Sequence, residues 1–191
     1  GHVERPGHIV LAPGSSVSMS NGGITSGLSS GIGPDALYSI GGVPAGDFIV
    51  TAQVPHVQGT PLSIALPLHV AAGQAIDFPI AMPATGTVNG TVRNATGTST
   101  VPNVAIRLTQ GPGFVRTTTT DSGGNYLLTD VPAGPVQIVA TEPLTKVQSA
   151  ATGTVAADLP TRVDLNLVAV TSVRVEVKLS NWRRSDALIV A

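Results

Sequence analysis

The chain of 191 residues contains no cysteine, and aromatic residues make up only 3% of it. Without cysteine, neither a disulfide nor a thiolate metal site can form. Charged residues account for 11%, the formal net charge is −1, and the basic residues are scattered. Nucleic acid is therefore not an expected partner, because binding it requires a basic face. The sequence also lacks an apolar run long enough to cross a bilayer, so we expect no membrane-spanning segment.

Glycine and proline are frequent instead, with 22 and 15 copies, beside many valine and threonine residues. Valine and threonine favour strands, whereas glycine and proline mark turns. We find no window with a sustained helical period. The composition therefore predicts an all-β protein. A surface rich in threonine, glycine and alanine and poor in lysine is typical of bacterial extracellular proteins, so we expect an extracellular or cell-surface location.

One sequence motif occurs twice in the chain at an offset of 88 residues, at 38–52 and at 126–140. Both copies begin with tyrosine and contain Val-Pro-Ala-Gly, at 43–46 and at 131–134. Proline presets φ and glycine accepts positive φ, so this tetrapeptide favours a tight turn. The apolar residues on either side alternate, which is the period of a half-buried strand. Each copy therefore predicts a strand, a tight turn and a second strand.

The repeat predicts two tandem β-sandwiches, at residues 1–83 (the first unit) and 84–170 (the second unit), followed by a strand extension at 171–191. A unit of this size can just bury a core of its own. In the second unit, seven short strands predict an antiparallel, immunoglobulin-like sandwich of two sheets. In the first unit we expect strands at Ser16–Met19, Ile24–Leu28 and Gln74–Met82, one broken strand at Leu62–Leu66 and Leu68–Ala71, and strands within the repeated hairpin.

The C-terminal extension alternates apolar and charged residues from Val173 to Leu179, and in register it matches Val88–Val92, which opens the second unit. An apolar strand with an unpaired edge tends to pair with a neighbour. It can become an eighth strand of the second unit, begin a third repeat, or add to another copy of the chain, head to tail. The candidate assembly residues are Val173, Val175, Val177, Leu179, Trp182, Leu188, Ile189 and Val190.

The second unit resembles the carboxypeptidase regulatory-like domain, a transthyretin-like sandwich related to the collagen-adhesin B-type repeats of bacterial surface proteins. The matching segments are Val88–Val92, Val104–Leu108, Thr120–Tyr126 and Val131–Gly134. The first unit shares only the segment Tyr38–Gly46, so two tandem copies are an extension of this resemblance. Such domains serve as spacers, stalks, adhesive repeats or accessory modules, and the resemblance implies no catalytic activity.

The polar residues indicate no catalytic, cofactor or metal site. None of the four histidines (His2, His8, His56 and His69) belongs to a His-x-x-Glu pair, and no nucleophile elbow is present. The segment Asp121–Asn125 offers oxygen ligands for Ca²⁺, but a plain Asx turn is the favoured interpretation.

Two functions fit these observations. The first is a non-catalytic structural protein of a bacterial surface, either a stalk repeat or a fibre subunit that assembles by strand addition of the C-terminal extension. The alternative is a carbohydrate- or protein-binding accessory module of a larger secreted enzyme or outer-membrane receptor. The scarcity of aromatic residues disfavours sugar binding, which usually needs a stacking platform.

Overall fold

The structure, a computed structural model, describes residues 1–4, 13–22 and 28–169. All regular secondary structure among these residues is β-strand, which confirms the all-β prediction. The strands of the first unit are β1 (Val3–Glu4), β2 (Ser16–Ser20), β3 (Ser29–Gly31), β4 (Gly46–Val54), β5 (Leu62–Val70) and β6 (Ile80–Ala81). Those of the second unit are β7 (Thr85–Arg93), β8 (Ala105–Gln110), β9 (Phe114–Thr119), β10 (Asn125–Pro132), β11 (Gly134–Thr141), β12 (Gln148–Val155), β13 (Pro160–Arg162) and β14 (Leu165–Asn166).

The second unit is a sandwich of two sheets. One sheet has the strand order β12-β11-β8-β9, and the other has the order β10-β7-β13, with β14 also paired to β7. Alternate residues of these strands point inward, as the period-two pattern predicted. The buried core contains Val88, Val92, Val104, Ile106, Leu108, Tyr126, Leu128, Val131, Val136, Ile138, Ala140, Val155, Val163, Leu165 and Leu167.

The first unit has one antiparallel sheet of the order β3-β2-β4-β5, accompanied by the short parallel pair of β1 and β6. Its buried core contains Val3, Val17, Met19, Leu28, Phe48, Val50, Ala52, Val54, Leu62, Val70, Ile80 and Met82. The two cores are separate, and the partly buried ring of Phe114 packs against both of them. The domain boundaries at residues 83 and 170 remain a prediction.

The repeated hairpin forms in the second unit as β10 and β11, with Ala133 between them. In the first unit only its second half is a strand, because residues 39–45 belong to no strand. The prediction of a complete first hairpin was therefore wrong. The physical reason is pairing: β10 pairs with β7 at Asn125–Leu128 and at Val131–Pro132, whereas no described segment forms a ladder with 39–45.

Two other details differ from the sequence prediction. Of the expected strand Gln74–Met82, only Ile80–Ala81 is a strand. The sheets were predicted to be antiparallel, but the ladders β1–β6, β13–β7 and β14–β7 are parallel. The expected strand Ile24–Leu28 falls largely on residues outside the described part, and β3 follows it. Conversely, Leu62–Val70 is one continuous strand despite Pro67, which is tolerated because β5 is an edge strand of its sheet.

Candidate assembly surfaces

The predicted assembly residues (Val173, Val175, Val177, Leu179, Trp182, Leu188, Ile189 and Val190) all lie outside the described residues, and so does His8. Their role therefore stays a prediction. The described part of the chain does, however, hold the surfaces to which a strand could add.

In the described ranges, no three His, Asp or Glu side chains lie close enough together to hold a metal ion. His2 Nε2 lies 3.0 Å from Glu4 Oε1, and His69 Nδ1 lies 2.7 Å from Asp47 Oδ1. Both pairs are on the surface, where an ion pair contributes little to stability.

The segment Asp121–Asn125 is an Asx turn. The Asp121 Oδ1 atom accepts hydrogen bonds from the backbone N–H groups of Gly123 at 2.8 Å and Asn125 at 2.9 Å. Gly124 provides the positive φ of 75° that the turn requires. Because the carboxylate serves the amides of its own turn, its function here is to shape the entry into β10.

The tyrosine that opens each repeat makes the same hydrogen bond in both units. The Tyr38 hydroxyl donates to the Phe78 carbonyl oxygen at 2.5 Å, and the Tyr126 hydroxyl donates to the Val163 carbonyl oxygen at 2.6 Å. Both acceptors lie just before the last strand segment of their unit. Burial, reinforced by Asp164, raises the pKa of Tyr126 well above its ordinary value, and burial with Asp77 also raises the pKa of Tyr38.

A glycine approaches each of these tyrosines closely. A Cβ added to Gly90 would lie 1.8 Å from the Val163 carbonyl oxygen, and one added to Gly1 would lie 2.5 Å from the Phe78 carbonyl oxygen. Val92 and Val3, two residues beyond each glycine, are both buried. The opening strand therefore passes the tyrosine in the same way in both units.

In the second unit, the residues before Gly90 complete the core. Thr85–Asn89, the first part of β7, lies between β10 on one side and β13 on the other. Val88 stands opposite Leu128 of β10 and Thr161 of β13. The side chains of Val88 and Leu128 are fully buried as a result.

The corresponding place in the first unit is a groove, which we call the strand groove. It is bordered by residues 38–43 and 70–78 and floored by Val50 and Leu68, and its volume is about 430 Å³. Four of the apolar side chains that line it are only half-buried, namely Ile40, Val43, Ile76 and Phe78. Leu128, Val131 and Val163, the counterparts of Ile40, Val43 and Phe78 in the second unit, are buried.

A second surface joins the two units. The loop between β4 and β5 lies along β9, an edge strand of the second unit, with Gly59 opposite Arg116 in an antiparallel bridge. The Thr60 N–H donates to the Val115 carbonyl oxygen at 3.1 Å, and the Thr117 N–H donates to the Gln58 carbonyl oxygen at 2.6 Å. The first unit thus extends the sheet of the second by one short segment and covers its edge.

The same loop also reaches β10, which is an edge strand of the other sheet. The Gln58 Nε2 atom donates to the Leu127 carbonyl oxygen, and the Gln58 Oε1 atom accepts the Thr129 N–H, both at 3.0 Å. His56 Nε2 lies 3.1 Å from the Thr129 hydroxyl and 3.4 Å from Asp130 Oδ2. Residues 56–60, which we call the junction loop, therefore bind both edges on one side of the sandwich.

Arg116 is the centre of this junction and is fully buried. Its guanidinium donates hydrogen bonds to the carbonyl oxygens of Thr60, Thr129 and Asp130, and it stacks 4.4 Å above the ring of Phe114. Burial lowers the pKa of Arg116 to about 10, and the Asp130 carboxylate opposes this effect.

Sequence reasoning missed this junction. Four consecutive threonines (117–120) are typical of an exposed strand, yet Arg116 just before them and Thr120 are buried. The signal available in the sequence was a lone arginine beside an aromatic residue, which does not reveal a contact 56 residues away.

Comparisons with known proteins agree with the resemblance of the second unit. Residues 87–168 match the family model of the carboxypeptidase regulatory-like domain. One copy of the domain is found, in the second unit. No curated protein matches the sequence. Among the described residues, there is no helix of a length and hydrophobicity sufficient to cross a membrane.

Solved structures of several bacterial proteins are similar to this chain. A minor pilin of Streptococcus agalactiae superposes with a TM-score of 0.50 and 11% identity, over 86% of this chain and 85% of that chain. A streptococcal ancillary pilin gives a TM-score of 0.43 and 10% identity, over 86% and 61% of the two chains. The Bacillus anthracis TIE protein gives a TM-score of 0.38 and 15% identity, over 87% of this chain and 33% of that chain. The first of these likenesses, at low identity, shows a common all-β fold.

Proposed function

We propose that this protein is a non-catalytic structural subunit of a bacterial surface fibre or stalk, outside the cell. The observation that carries the proposal is the junction: the first unit adds its junction loop to the edge strand of the second. Two β-sandwiches bonded in this way resist bending between the units, as a stalk under tension must. The fold shared with a minor pilin supports the same role.

The first unit is, in this proposal, a second and divergent copy of the carboxypeptidase regulatory-like domain. The repeated hydrogen bond of Tyr38 and Tyr126 supports it, together with the equivalent positions of Gly1 and Gly90. Because the same backbone path recurs in tandem, a chain of such units can be extended without a new kind of contact.

We further propose that subunits join head to tail by strand addition of the C-terminal extension at 171–191. Its alternating residues, from Val173 to Leu179, follow the second unit as the opening strand β7 follows the first. A head-to-tail contact of this kind does not close on itself, so it produces a filament. The apolar stripe would become buried on assembly, which provides the driving force.

Light scattering and negative-stain microscopy test this proposal on three proteins: the full chain, a chain ending at Val170, and the full chain with Arg174→Ser. We expect filaments or an oligomer ladder from the full chain and monomers after truncation. The Arg174→Ser variant keeps the apolar stripe and should still assemble. A full chain that stays a monodisperse monomer would contradict assembly by this extension.

The alternative function is an accessory module beside a larger protein. It is favoured by the family match, which covers the second unit. In that case the full chain and the truncated chain would both be monomers, and the function would lie in binding a protein ligand.

A further inference from the structure

Strand β5 (Leu62–Val70) is one edge of the four-stranded sheet of the first unit. Its neighbour β4 lies on one side, and within the described ranges no segment forms a ladder on the other. The junction loop, residues 56–60, binds the second unit before β5 begins. In the described part of the chain, the outer side of β5 is therefore a free sheet edge, to which another strand can add.

The ladders of this sheet determine which backbone groups of β5 face outward. In an antiparallel ladder, alternate residues direct both their N–H and C=O groups to one neighbour. The Met19 N–H donates to the Leu28 carbonyl oxygen beside β3, so the even-numbered residues of β2 bond β4. Through the register of β4 and β5, the odd-numbered residues of β5 then face outward. Pro67, which has no N–H to give to β4, is one of these outward residues.

The sequence along this edge is nearly the same in both directions. Residues 61–67 read Pro-Leu-Ser-Ile-Ala-Leu-Pro, a palindrome about Ile64 that is broken only at Ser63 and Ala65. In two antiparallel copies related by a two-fold axis at Ile64, each leucine faces a leucine and each proline faces a proline. The segment contains no charged residue, so the pairing brings no like charges together. The edge of β5 is thus complementary to itself.

We propose that two copies of this protein join through β5, edge to edge, in an antiparallel ladder with a two-fold axis at Ile64. The two four-stranded sheets then continue as one sheet. The contact does not use the C-terminal extension, so it is independent of the proposed head-to-tail assembly. A two-fold contact closes on a pair, so it links subunits side by side and not end to end.

The backbone hydrogen bonds favour this register. Pro61 and Pro67 have no N–H, so the outward donors between them are Ser63 and Ala65. In the proposed register Ser63 of each copy stands opposite Ala65 of the other, and each such pair exchanges N–H···O bonds in both directions. The prolines face each other beyond them. A register centred on Ala65 would place Pro67 opposite Ser63, whose carbonyl oxygen would then lack a donor.

The inward side chains of β5 fit the same register. Ile64 and Leu66 belong to the inward face of the strand and pack against the core, yet both are only half-buried. In the pair, Ile64 contacts the second copy's Ile64, and Leu66 contacts the second copy's Leu62. Apolar cross-strand pairs of this kind stabilise a ladder, and they remove the remaining apolar surface from water.

A single contact of this length is weak, because a pair of short edges buries far less than the roughly 1,200 Å² of a stable interface. We expect a dissociation constant on the order of 0.1–1 mM, so dilute protein stays monomeric. Between two neighbouring filaments, many copies of the contact act together, and the side-by-side pairing becomes stable.

Because the natural chain has no cysteine, an introduced thiol reports the contact without background. We would oxidise the full chain carrying Ile64→Cys at about 0.5 mM and map the linked peptides by mass spectrometry. In the proposed register the two Cα atoms at position 64 lie about 4.5 Å apart, within the span of a disulfide. We expect a symmetric disulfide at least about tenfold more abundant than in the Ala151→Cys control, which is half-buried on the edge strand β12.

A mixture of chains carrying Ser63→Cys and Ala65→Cys tests the register at two exposed positions, where a substitution leaves the core intact. The two variants should cross-link to each other. If Ala65→Cys links to itself more readily than to Ser63→Cys, the axis is not at Ile64 and the proposed register is wrong.

Ala65→Pro, added to the Ile64→Cys chain, removes an outward donor without touching the ladder to β4, so it should reduce the cross-link at least about tenfold. Ala65→Ser keeps that donor and should preserve the cross-link. Filaments without a cross-link at position 64 would overturn the β5 contact and leave the head-to-tail assembly intact. A cross-linked pair from a chain that forms no filaments would support the β5 contact and contradict the head-to-tail assembly.

Discussion

The buried guanidinium of Arg116 donates a hydrogen bond to the carbonyl oxygen of Thr60, a residue of the other unit. The same guanidinium binds the carbonyl oxygens of Thr129 and Asp130 within its own unit. One side chain thus bonds the junction loop to the edge of the second sandwich. The orientation of the two units is therefore set by hydrogen bonds to a fully buried charge, which are stronger than those between neutral groups.

Replacing Arg116 with methionine should destabilise the protein by about 2–4 kcal/mol, because several buried carbonyl oxygens would lose a charged donor. Urea unfolding followed by circular dichroism measures this change. The matched control is Arg107→Met, since Arg107 lies exposed on the neighbouring strand β8. Equal stability of the two variants would show that Arg116 does not hold the junction.

Gly59→Ala should open the junction and leave both cores folded. An added Cβ at Gly59 would lie 2.3 Å from the Val115 carbonyl oxygen, and the φ of 145° disfavours a side chain there. We expect faster hydrogen exchange at the amide of Thr117, which donates to the Gln58 carbonyl oxygen. The increase should be at least about tenfold, which corresponds to about 1.4 kcal/mol of local stability.

Gly31→Ala is the control for that experiment, because an added Cβ at Gly31 meets no heavy atom within 4 Å. It should leave exchange at Thr117 unchanged. If the two glycine variants behave alike, the junction loop is not a fixed contact.

Gly90→Ala should destabilise the second unit by about 1–3 kcal/mol or more, as overpacking does. The added methyl group would meet the Val163 carbonyl oxygen and the ring of Tyr126, so the opening strand would have to shift. Thermal unfolding measures the effect, and Gly41→Ala provides the comparison, because an added Cβ at Gly41 meets no heavy atom within 4 Å. A Gly90 variant as stable as the Gly41 variant would mean that the backbone separates at Gly90 without cost.

Stability should fall as the pH rises above 10.0, the ordinary pKa of tyrosine. Burial and Asp164 raise the pKa of Tyr126, so the unfolded chain loses this proton before the folded protein does. The neutral hydroxyl therefore contributes stability that is complete below pH 10.0 and is lost as the pH rises toward the folded-state pKa.

Tyr126→Phe should remove most of that pH dependence and cost about 1 kcal/mol at neutral pH, through the lost hydrogen bond to Val163. Tyr38→Phe is the matched variant, and because Tyr38 is only half-buried its effect should be smaller. Urea unfolding between pH 7 and 11 compares them. If the free energy of unfolding of the Tyr126→Phe variant falls with pH as steeply as that of the unaltered protein, groups other than Tyr126 cause the alkaline loss of stability.

The second unit was predicted more accurately than the first. Its turn Val131–Gly134 and the Asx turn at Asp121 depend on local sequence, and both formed as expected. Residues 39–45 belong to the same repeated motif as β10 but form no strand. A strand also requires a partner segment, and that partner is not encoded in the motif itself. The predicted assembly residues of the extension remain a prediction, because they lie outside the described residues.

By itself, the sequence determined the features with a local cause: the all-β class, the positions of most turns, and the inward face of each strand. Only the tertiary structure decided that Arg116 is buried and that the junction loop covers β9 and β10. The physical reason is that alternation and turn chemistry act between near neighbours in the chain. Burial of a charge and pairing of a sheet edge depend on segments that are distant in sequence and meet only in the folded protein.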